Sequence, residues 1–391
     1  MSRIPVFRIP SLCLTWYDNG ELKTGAVFNG GAEYFEDQVI LLPRCHKNYK
    51  KGKFFDEKLG MERDCLENYI SEVWPLTSSD GINFSRFQNL AIRGDGTDHQ
   101  DFAYGIEDIR IIKYENSYVL IGCGKIKPPF KGSNADRIAV YSTEDFVKTT
   151  YCGMVESFDS RNAVPFPTTV NGNLYTLLRF HPDIHIGLLK AGMNQLLNPA
   201  AHKDKWEEIY NMRNENLLLK AGLYPHEKEK IGPGPQLIKT DRGWLLIYHA
   251  VGEIDINICK AYGLSKKIER GYSISAALLD LEDPRNVICR TKNPIYIPSA
   301  PYELYGNEEY PVDVPAVVFP VSAIVLQNRI LIYAGAADKY IILLSCKLDK
   351  LINYLLGHCK FINSSIIAAE NGHNTLYWQA NRGRIRCGSN T

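Results

Sequence analysis

Apolar residues along this chain fall in short alternating runs separated by turn-forming residues, and stretches with helical periodicity are scarce. Alternation of this kind puts every second side chain on one face of a strand, so the pattern predicts β-structure. Five segments share one design, an apolar run, a polar turn and a second apolar run. They are 27–44 (VFNGGAEYFEDQVILLPR), 105–124 (GIEDIRIIKYENSYVLIGCG), 161–181 (RNAVPFPTTVNGNLYTLLRFH), 231–250 (IGPGPQLIKTDRGWLLIYHA) and 318–338 (VFPVSAIVLQNRILIYAGAAD). Their turns, Glu36-Asp37, Glu115-Asn116, Asn171-Gly172, Asp241-Arg242-Gly243 and Gln327-Asn328, have hairpin chemistry. The segments recur every roughly 55 to 85 residues, room for about four strands each, and four-stranded units repeated around an axis make a β-propeller. The expectation is therefore an all-β fold, a five-bladed β-propeller formed as one domain over 1–391. The best helix candidate, 348–356 (LDKLINYLL), is a short C-terminal addition.

In a hairpin, the start of the first strand lies beside the end of the second. First strands here open with Asn29-Gly30-Gly31, Glu107-Asp108-Ile109-Arg110, Arg161-Asn162, Gly232-Pro233-Gly234 and Phe319-Pro320, and second strands end at Arg44, Arg179-Phe180-His181, His249 and Asp338. If the innermost strands line a central channel, these side chains meet at one mouth of it, where ligands bind. Alternation along the strand sends Glu107 to the face opposite Asp108, which leaves Glu107 a supporting role.

Composition narrows the field. The 391 residues carry 45 Lys+Arg and 44 Asp+Glu, with 45% hydrophobic residues, values of a globular protein with a large core. Near-neutral charge gives no footprint for nucleic acid, and no basic run marks a membrane surface. The N-terminus lacks the apolar stretch of a signal peptide, no run is long enough to span a bilayer, and the ten scattered cysteines lack zinc-like pairing. These readings predict reduced thiols and a cytoplasmic location.

The gathered mouth holds many cations and few carboxylates. An inverting hydrolase needs an acid for the leaving oxygen and a second carboxylate to deprotonate water. A phosphorolytic enzyme omits that base, because inorganic phosphate arrives as a charged nucleophile, and it needs Arg, Lys and His to hold the dianion. One acid beside a cationic pocket fits phosphorolysis better.

Several stretches then carry a resemblance. GIEDIRI at 105–111 is similar to GxEDPRI, SRNAVPFP at 160–167 to RNxxLFP, and KIGPGPQLIKTDRGWLLIYHAV at 230–251 to KIGxGPxPIxTxxGWLLxYHGV; YSISAALLDLEDP at 272–284, VVFPVSAIV at 317–325 and YAGAAD at 333–338 follow in order. Together they resemble glycoside hydrolase family 130, inverting β-mannoside phosphorylases with five-bladed propellers. The resemblance covers about 27–356. It implies that Asp108 is the general acid, acting through the mannose 3-hydroxyl. Asn29, Arg44 and Asp338 would hold the mannosyl unit, and Arg161, Asn162, Arg179, Lys230, His249 and Tyr272 the phosphate. The products would be α-mannose 1-phosphate and a shortened sugar. It implies no cofactor and no metal, inorganic phosphate as co-substrate, a β-mannosyl oligosaccharide as partner, and leaves a homo-oligomer open.

Departures from the family pattern are Ile109 where proline is usual, Ala250 where glycine is usual, Pro233 and Val321; none removes a functional group. Insertions near 45–74 and 251–271 follow second strands and should rise at the channel mouth, and an extension at 361–391 lies beyond the resemblance. Ser79-Asp80-Gly81-Ile82-Asn83-Phe84 reads as a turn between outer strands, as does Gly94-Asp95-Gly96. His181 and His185 flank Pro182 and are not read as a metal pair; Asn83 and Asn363 sit in sequons without consequence in a cytosolic protein. A β-mannosidase, a mannosyltransferase using a nucleotide sugar, and a non-catalytic glycan-binding propeller remain alternatives.

Overall fold

The computed structural model describes residues 11–14, 26–46, 49–57, 60–87, 92, 102, 104–126, 136–309 and 311–357. The turn at Gly94, Asp95 and Gly96, residue Asn363 and the 361–391 extension lie outside these described residues.

All five expected hairpins form, and each opens an antiparallel sheet. The first sheet runs Ala26–Phe35, Gln38–His46, Leu76–Ser78, Ser85–Arg86; the second Ile106–Tyr114, Ser117–Lys125, Asp136–Thr143, Thr150–Val155. The third runs Ala163–Pro165, Leu174–Phe180, Asp183–Leu189, Leu217–Leu219. In the fourth, Lys230–Pro233 and Ile238–Thr240 both pair with Gly243–Ile254, followed by Ile268–Leu279 and Val287–Arg290. The fifth runs Val318–Leu326, Arg329–Ala336, Tyr340–Lys347, and is completed by Ser11–Leu14 from the opposite end of the sequence. The opening hairpins of successive sheets touch in a closed order: Ala26–Phe35 contacts Ile106–Tyr114 and Val318–Leu326, Ser117–Lys125 contacts Ala163–Pro165, Leu174–Phe180 contacts Lys230–Pro233, and Gly243–Ile254 contacts Val318–Leu326.

Turn chemistry sets the registers. Gln327 and Asn328 both have positive φ (48° and 59°), as do Asn171 and Gly172 (50° and 79°), the left-handed pair that a tight two-residue hairpin requires. Asp80 accepts from the amides of Ile82 and Asn83 at 2.8 Å, which fixes the turn between the two outer strands of the first sheet.

Strands buried on both faces explain the long apolar runs. Val39 and Leu41 pack with Ile324, Leu331 and Leu343 of the fifth sheet, whereas Ile40 and Leu42 pack with Ile111 and Leu120 of the second. Likewise Leu245 and Ile247 face the fifth sheet, and Trp244, Leu246 and Tyr248 face the third. Each sheet is thus glued to two neighbours, at about 1.5–3 kcal/mol per fully buried aliphatic side chain.

Three differences from expectation appear. Helices Met193–Leu197 and Lys203–Asn211 interrupt the third sheet, and the latter buries Trp206 and Ile209 against it. Residues 251–271 are less an insertion than an overshoot: Val251 pairs with Tyr272 and Ile254 with Ile268, so both strands run on before the short helix Ile256–Ala261 turns the chain. Within 45–74, Lys50–Asp56 and Met61–Glu67 form a free-standing hairpin. The C-terminal helix is present at 348–357. No helix among the described residues is long and apolar enough to cross a membrane.

Candidate active site

A cavity of about 630 Å³ collects Asn29, Arg44, Asp108, Arg161, Asn162, Arg179, Lys230, Tyr272 and Asp338, nine of the ten residues expected from sequence. Arg63, Tyr69, Glu107, Lys125, Arg270, Val314, Val317 and Phe319 complete its lining.

Two backbone irregularities aim Asn29 and Asp108. Asn29 has φ 49° and lies in a bulge between Phe28 and Gly31; Asp108 has φ 54° and lies in a bulge between Glu107 and Arg110, opposite Gly122. Left-handed backbone is costly for non-glycine residues, and bulges re-aim side chains at strand ends. The bulge corrects the expectation for Glu107. The extra residue breaks strand alternation, so Glu107 and Asp108 both reach the cavity, while Ile109 enters the core between the first and second sheets.

Asn29 Nδ2 donates to Asp108 Oδ1 at 2.8 Å. Arg44 lies 2.7 Å from Glu107 and 3.8 Å from Asp108, its guanidinium resting 4.0 Å from the Phe28 ring centroid. Arg161 Nη2 reaches Glu107 Oε2 at 2.6 Å and Asp108 Oδ2 at 3.8 Å, and its Nε faces Asp136 at 3.6 Å. Burial pushes the Asp108 carboxyl up, but Arg44, Arg161, Arg110 and the Asn29 hydrogen bond outweigh it and hold Asp108 below the usual carboxylate range. Asp338 goes the other way: desolvation, reinforced by Asp108 and Glu107, raises it to about 6 against the pull of Arg44 and Arg161. The two cavity aspartates are thus pushed apart.

The opposite wall is cationic. Arg179 makes no ion pair among the described residues, and burial and the nearby Arg161 charge lower its affinity for a proton. Lys230 and Arg270 lie 5.3 and 5.6 Å from the Tyr272 ring centroid. Burial pushes the Tyr272 hydroxyl up, yet Lys230 and Arg270 outweigh it and leave it below its ordinary value. Across the whole lining, seven Arg and Lys side chains stand against three carboxylates.

The tenth expected residue, His249, and the strand-end residue Arg110 lie outside the cavity lining. His249 is fully buried, packs 4.5 Å from Phe319 and 6.2 Å from Tyr272, and neither ring nitrogen has a hydrogen-bond partner. Burial, with Arg179 and Lys230 nearby, keeps its imidazole neutral. Arg110 is a scaffold: it donates to the carbonyls of Asp108 at 2.6 Å and Gly234 at 3.2 Å. With its amide oxygen turned to Arg110, Asn162 accepts from that guanidinium at 2.9 and 3.1 Å, which leaves its donor end for the cavity.

The profile of one family, described as beta-1,4-mannooligosaccharide phosphorylase, matches residues 2–356. The chain belongs to glycoside hydrolase family 130. A 1,2-beta-oligomannan phosphorylase from Thermoanaerobacter sp. (strain X514) is 31% identical over 328 residues, covering 82% of this chain and 90% of that protein. A beta-1,2-mannobiose phosphorylase from the same source is 29% identical, with 82% and 90% covered. Among solved structures, the beta-1,2-mannobiose phosphorylase of Listeria innocua in complex with beta-1,2-mannobiose superposes with TM-score 0.61 at 22% identity, covering 85% of this chain and 93% of that one. At that identity the likeness speaks for the fold.

Four polar family-130 cavity residues escaped the sequence reading. Lys125 stands where the second strand of the second hairpin ends, the position that gave Arg44, Arg179 and His249 in other hairpins, one residue past the apolar run. Arg270 lies two residues before Tyr272 on the same strand, a spacing that returns to the same face. Arg63 and Tyr69 come from the 45–74 insertion, whose path no periodicity foretells. Among the described residues no group of three or more His, Cys, Asp or Glu side chains is placed to hold a metal ion.

Proposed function

We propose that this chain is an inverting β-mannoside phosphorylase that transfers a mannosyl unit to inorganic phosphate, releasing α-mannose 1-phosphate and a shortened sugar. The observation that carries the reading is one cavity that holds a hydrogen-bonded carboxylate, Asp108, together with the cations Arg161, Arg179, Lys230 and Arg270. Two neighbouring guanidiniums, one of them without a carboxylate partner, suit an anion that both can bind through forked hydrogen bonds. Of the three lining carboxylates, Glu107 and Asp108 are already engaged by Arg44 and Arg161, which leaves Asp338 alone to deprotonate a water molecule and argues against hydrolysis.

On this reading Asn29, Arg44 and Asp338 grip the mannosyl unit, and Arg161, Asn162, Arg179, Lys230 and Tyr272 hold phosphate below the anomeric carbon. His249 acts from outside the lining, packing against Tyr272. A phosphate oxygen forms the new bond to the anomeric carbon as the glycosidic bond breaks. The leaving oxygen takes the 3-hydroxyl proton, and Asp108 replaces it. Asp108 must be protonated to do so, and the guanidiniums hold it ionised in the empty site. A phosphate dianion beside Arg161 offsets part of that positive field and raises the carboxyl toward its acid form. Phosphate thereby prepares the acid as well as the attack, and oriented cations stabilise the charge that develops.

The five sheets are read as the blades of a five-bladed propeller forming one domain, supported by the closed order of contacts between their opening hairpins. Cys65, Cys123, Cys152, Cys259 and Cys346 are free thiols, in keeping with a reducing cytoplasm. The β-1,2 linkage is favoured, because both curated relatives named above carry it over most of this chain. The test is synthesis in reverse: purified protein, α-mannose 1-phosphate and a panel of acceptor sugars, with phosphate release recorded. Release that depends on the acceptor supports the reading and identifies the acceptor; no release with any acceptor, alongside cleavage of mannobiose in phosphate-free buffer, overturns it in favour of a hydrolase.

A further inference from the structure

We infer that Glu107 is a positioning residue that couples the sugar half of the cavity to the phosphate half, through a single carboxylate oxygen shared by Arg44 and Arg161. The inference rests on the functional reading above and adds a residue to which that reading gives no part. Glu107 Oε2 meets Arg161 at 2.6 Å and Arg44 at 2.7 Å. Its other oxygen is also occupied, accepting from the Ser71 hydroxyl at 3.3 Å. Ser71 has one proton to give, so its contact with His46 Nε2, also 3.3 Å, is one in which the imidazole donates. His46 is held in turn by stacking on Tyr69, with ring centroids 3.6 Å apart. Glu107 is 2% exposed and Arg44 5%, so bulk water competes little for their contact.

Arg44 stands on the sugar side and Arg161 on the phosphate side, and each reaches Asp108 only at 3.8 Å. Their short contact is with Glu107. A ligand that draws one guanidinium away changes how much of that oxygen's charge remains for the other. Occupancy of one half is therefore felt in the other, and the effect is reciprocal because it is a coupling free energy. A purely structural ion pair would support both halves without connecting them.

The test measures mannose binding by calorimetry with the full chain, without phosphate and at saturating inorganic phosphate. In the wild type the two dissociation constants differ by about fivefold or more, the lower end of ordinary coupling. In Glu107→Gln, which keeps the shape and removes the charge, the ratio falls to near one. A folded Glu107→Gln protein whose affinities drop while the ratio persists would reduce Glu107 to a structural part and overturn the inference, as would a wild-type ratio of one. Should Glu107→Gln fail to fold, Ser71→Ala, which releases only the far oxygen, is expected to lower the ratio partway; an unchanged ratio there counts against the coupling. Failure of the wild type to bind mannose and phosphate at all would instead fell the functional reading, and this inference with it.

Discussion

The two walls of the cavity are built differently. On the sugar side the charges that meet Asp108 are held: Asn29 holds Asp108, Glu107 holds Arg44, and Ser71, itself bonded to His46, holds Glu107. On the phosphate side Arg161 pairs with Glu107 and Arg270 with Glu229, but Arg179 has no ion-pair partner among the described residues and Lys230 rests by the Tyr272 ring. The first wall is organised before any ligand arrives. The second keeps an excess of positive charge that an incoming anion satisfies. Orientation must be strict where a stereocentre is gripped and a proton handed over, whereas a small symmetric dianion asks chiefly for charge and forked donors.

That contrast breaks most severely at Asp108. Asp108→Asn is expected to lower turnover about 10³-fold, within the usual range for a positioned acid, while the Michaelis constant for phosphate moves only a few-fold. Steady-state kinetics in both substrates check the split; turnover within tenfold of wild type would remove Asp108 from the acid role. Arg179→Ala attacks the other wall. Loss of a charged hydrogen bond of about 1.5–3 kcal/mol should raise the phosphate Michaelis constant about 10- to 100-fold and leave mannose affinity unchanged, read by kinetics and calorimetry together.

Two glycines sharpen the comparison without touching a charge. A Cβ at Gly335 would lie 1.8 Å from Asn29 Oδ1, and one at Gly232 would lie 2.4 Å from His249 Cε1 and 2.8 Å from Arg179 Cδ. Gly335→Ala should therefore weaken mannose more than phosphate, and Gly232→Ala phosphate more than mannose, each costing about 1–3 kcal/mol of stability from overpacking. Equal losses of both ligands in both variants would deny that the walls are separable. The smallest effect concerns Asp338, whose carboxyl is raised to about 6. A carboxyl with a raised value in the folded state binds more protons there than in the unfolded chain, so its ionisation costs stability above pH 6 and that cost fades as pH falls toward 4. Asp338→Asn should melt a few degrees higher than wild type at pH 7.5, with the gap closing by pH 4.5.

How much the sequence revealed follows the same physics. Hairpins were legible because alternation and turn residues are local: Asn171-Gly172 and Gln327-Asn328 announce their left-handed turns. The meeting of Arg44, Arg161, Arg179 and Asp108 was legible because repeated hairpins place equivalent strand ends together. Glu107 was misplaced because a bulge opposite Gly122 is a backbone event that no period-two pattern records. His249 lies outside the cavity lining, since the aromatic cover of Phe319 comes from another sheet. Arg63 was out of reach because the hairpin carrying it folds independently of the repeated design.

The central claim is that the cationic wall exists to bring phosphate to the anomeric carbon. Incubation of β-1,2-mannobiose with the protein, followed by phosphorus NMR with and without inorganic phosphate, tests it most directly. The account predicts α-mannose 1-phosphate formed in step with mannose release when phosphate is present, and an intact disaccharide when it is absent. Equal release of mannose in both tubes, with no sugar phosphate, would contradict it.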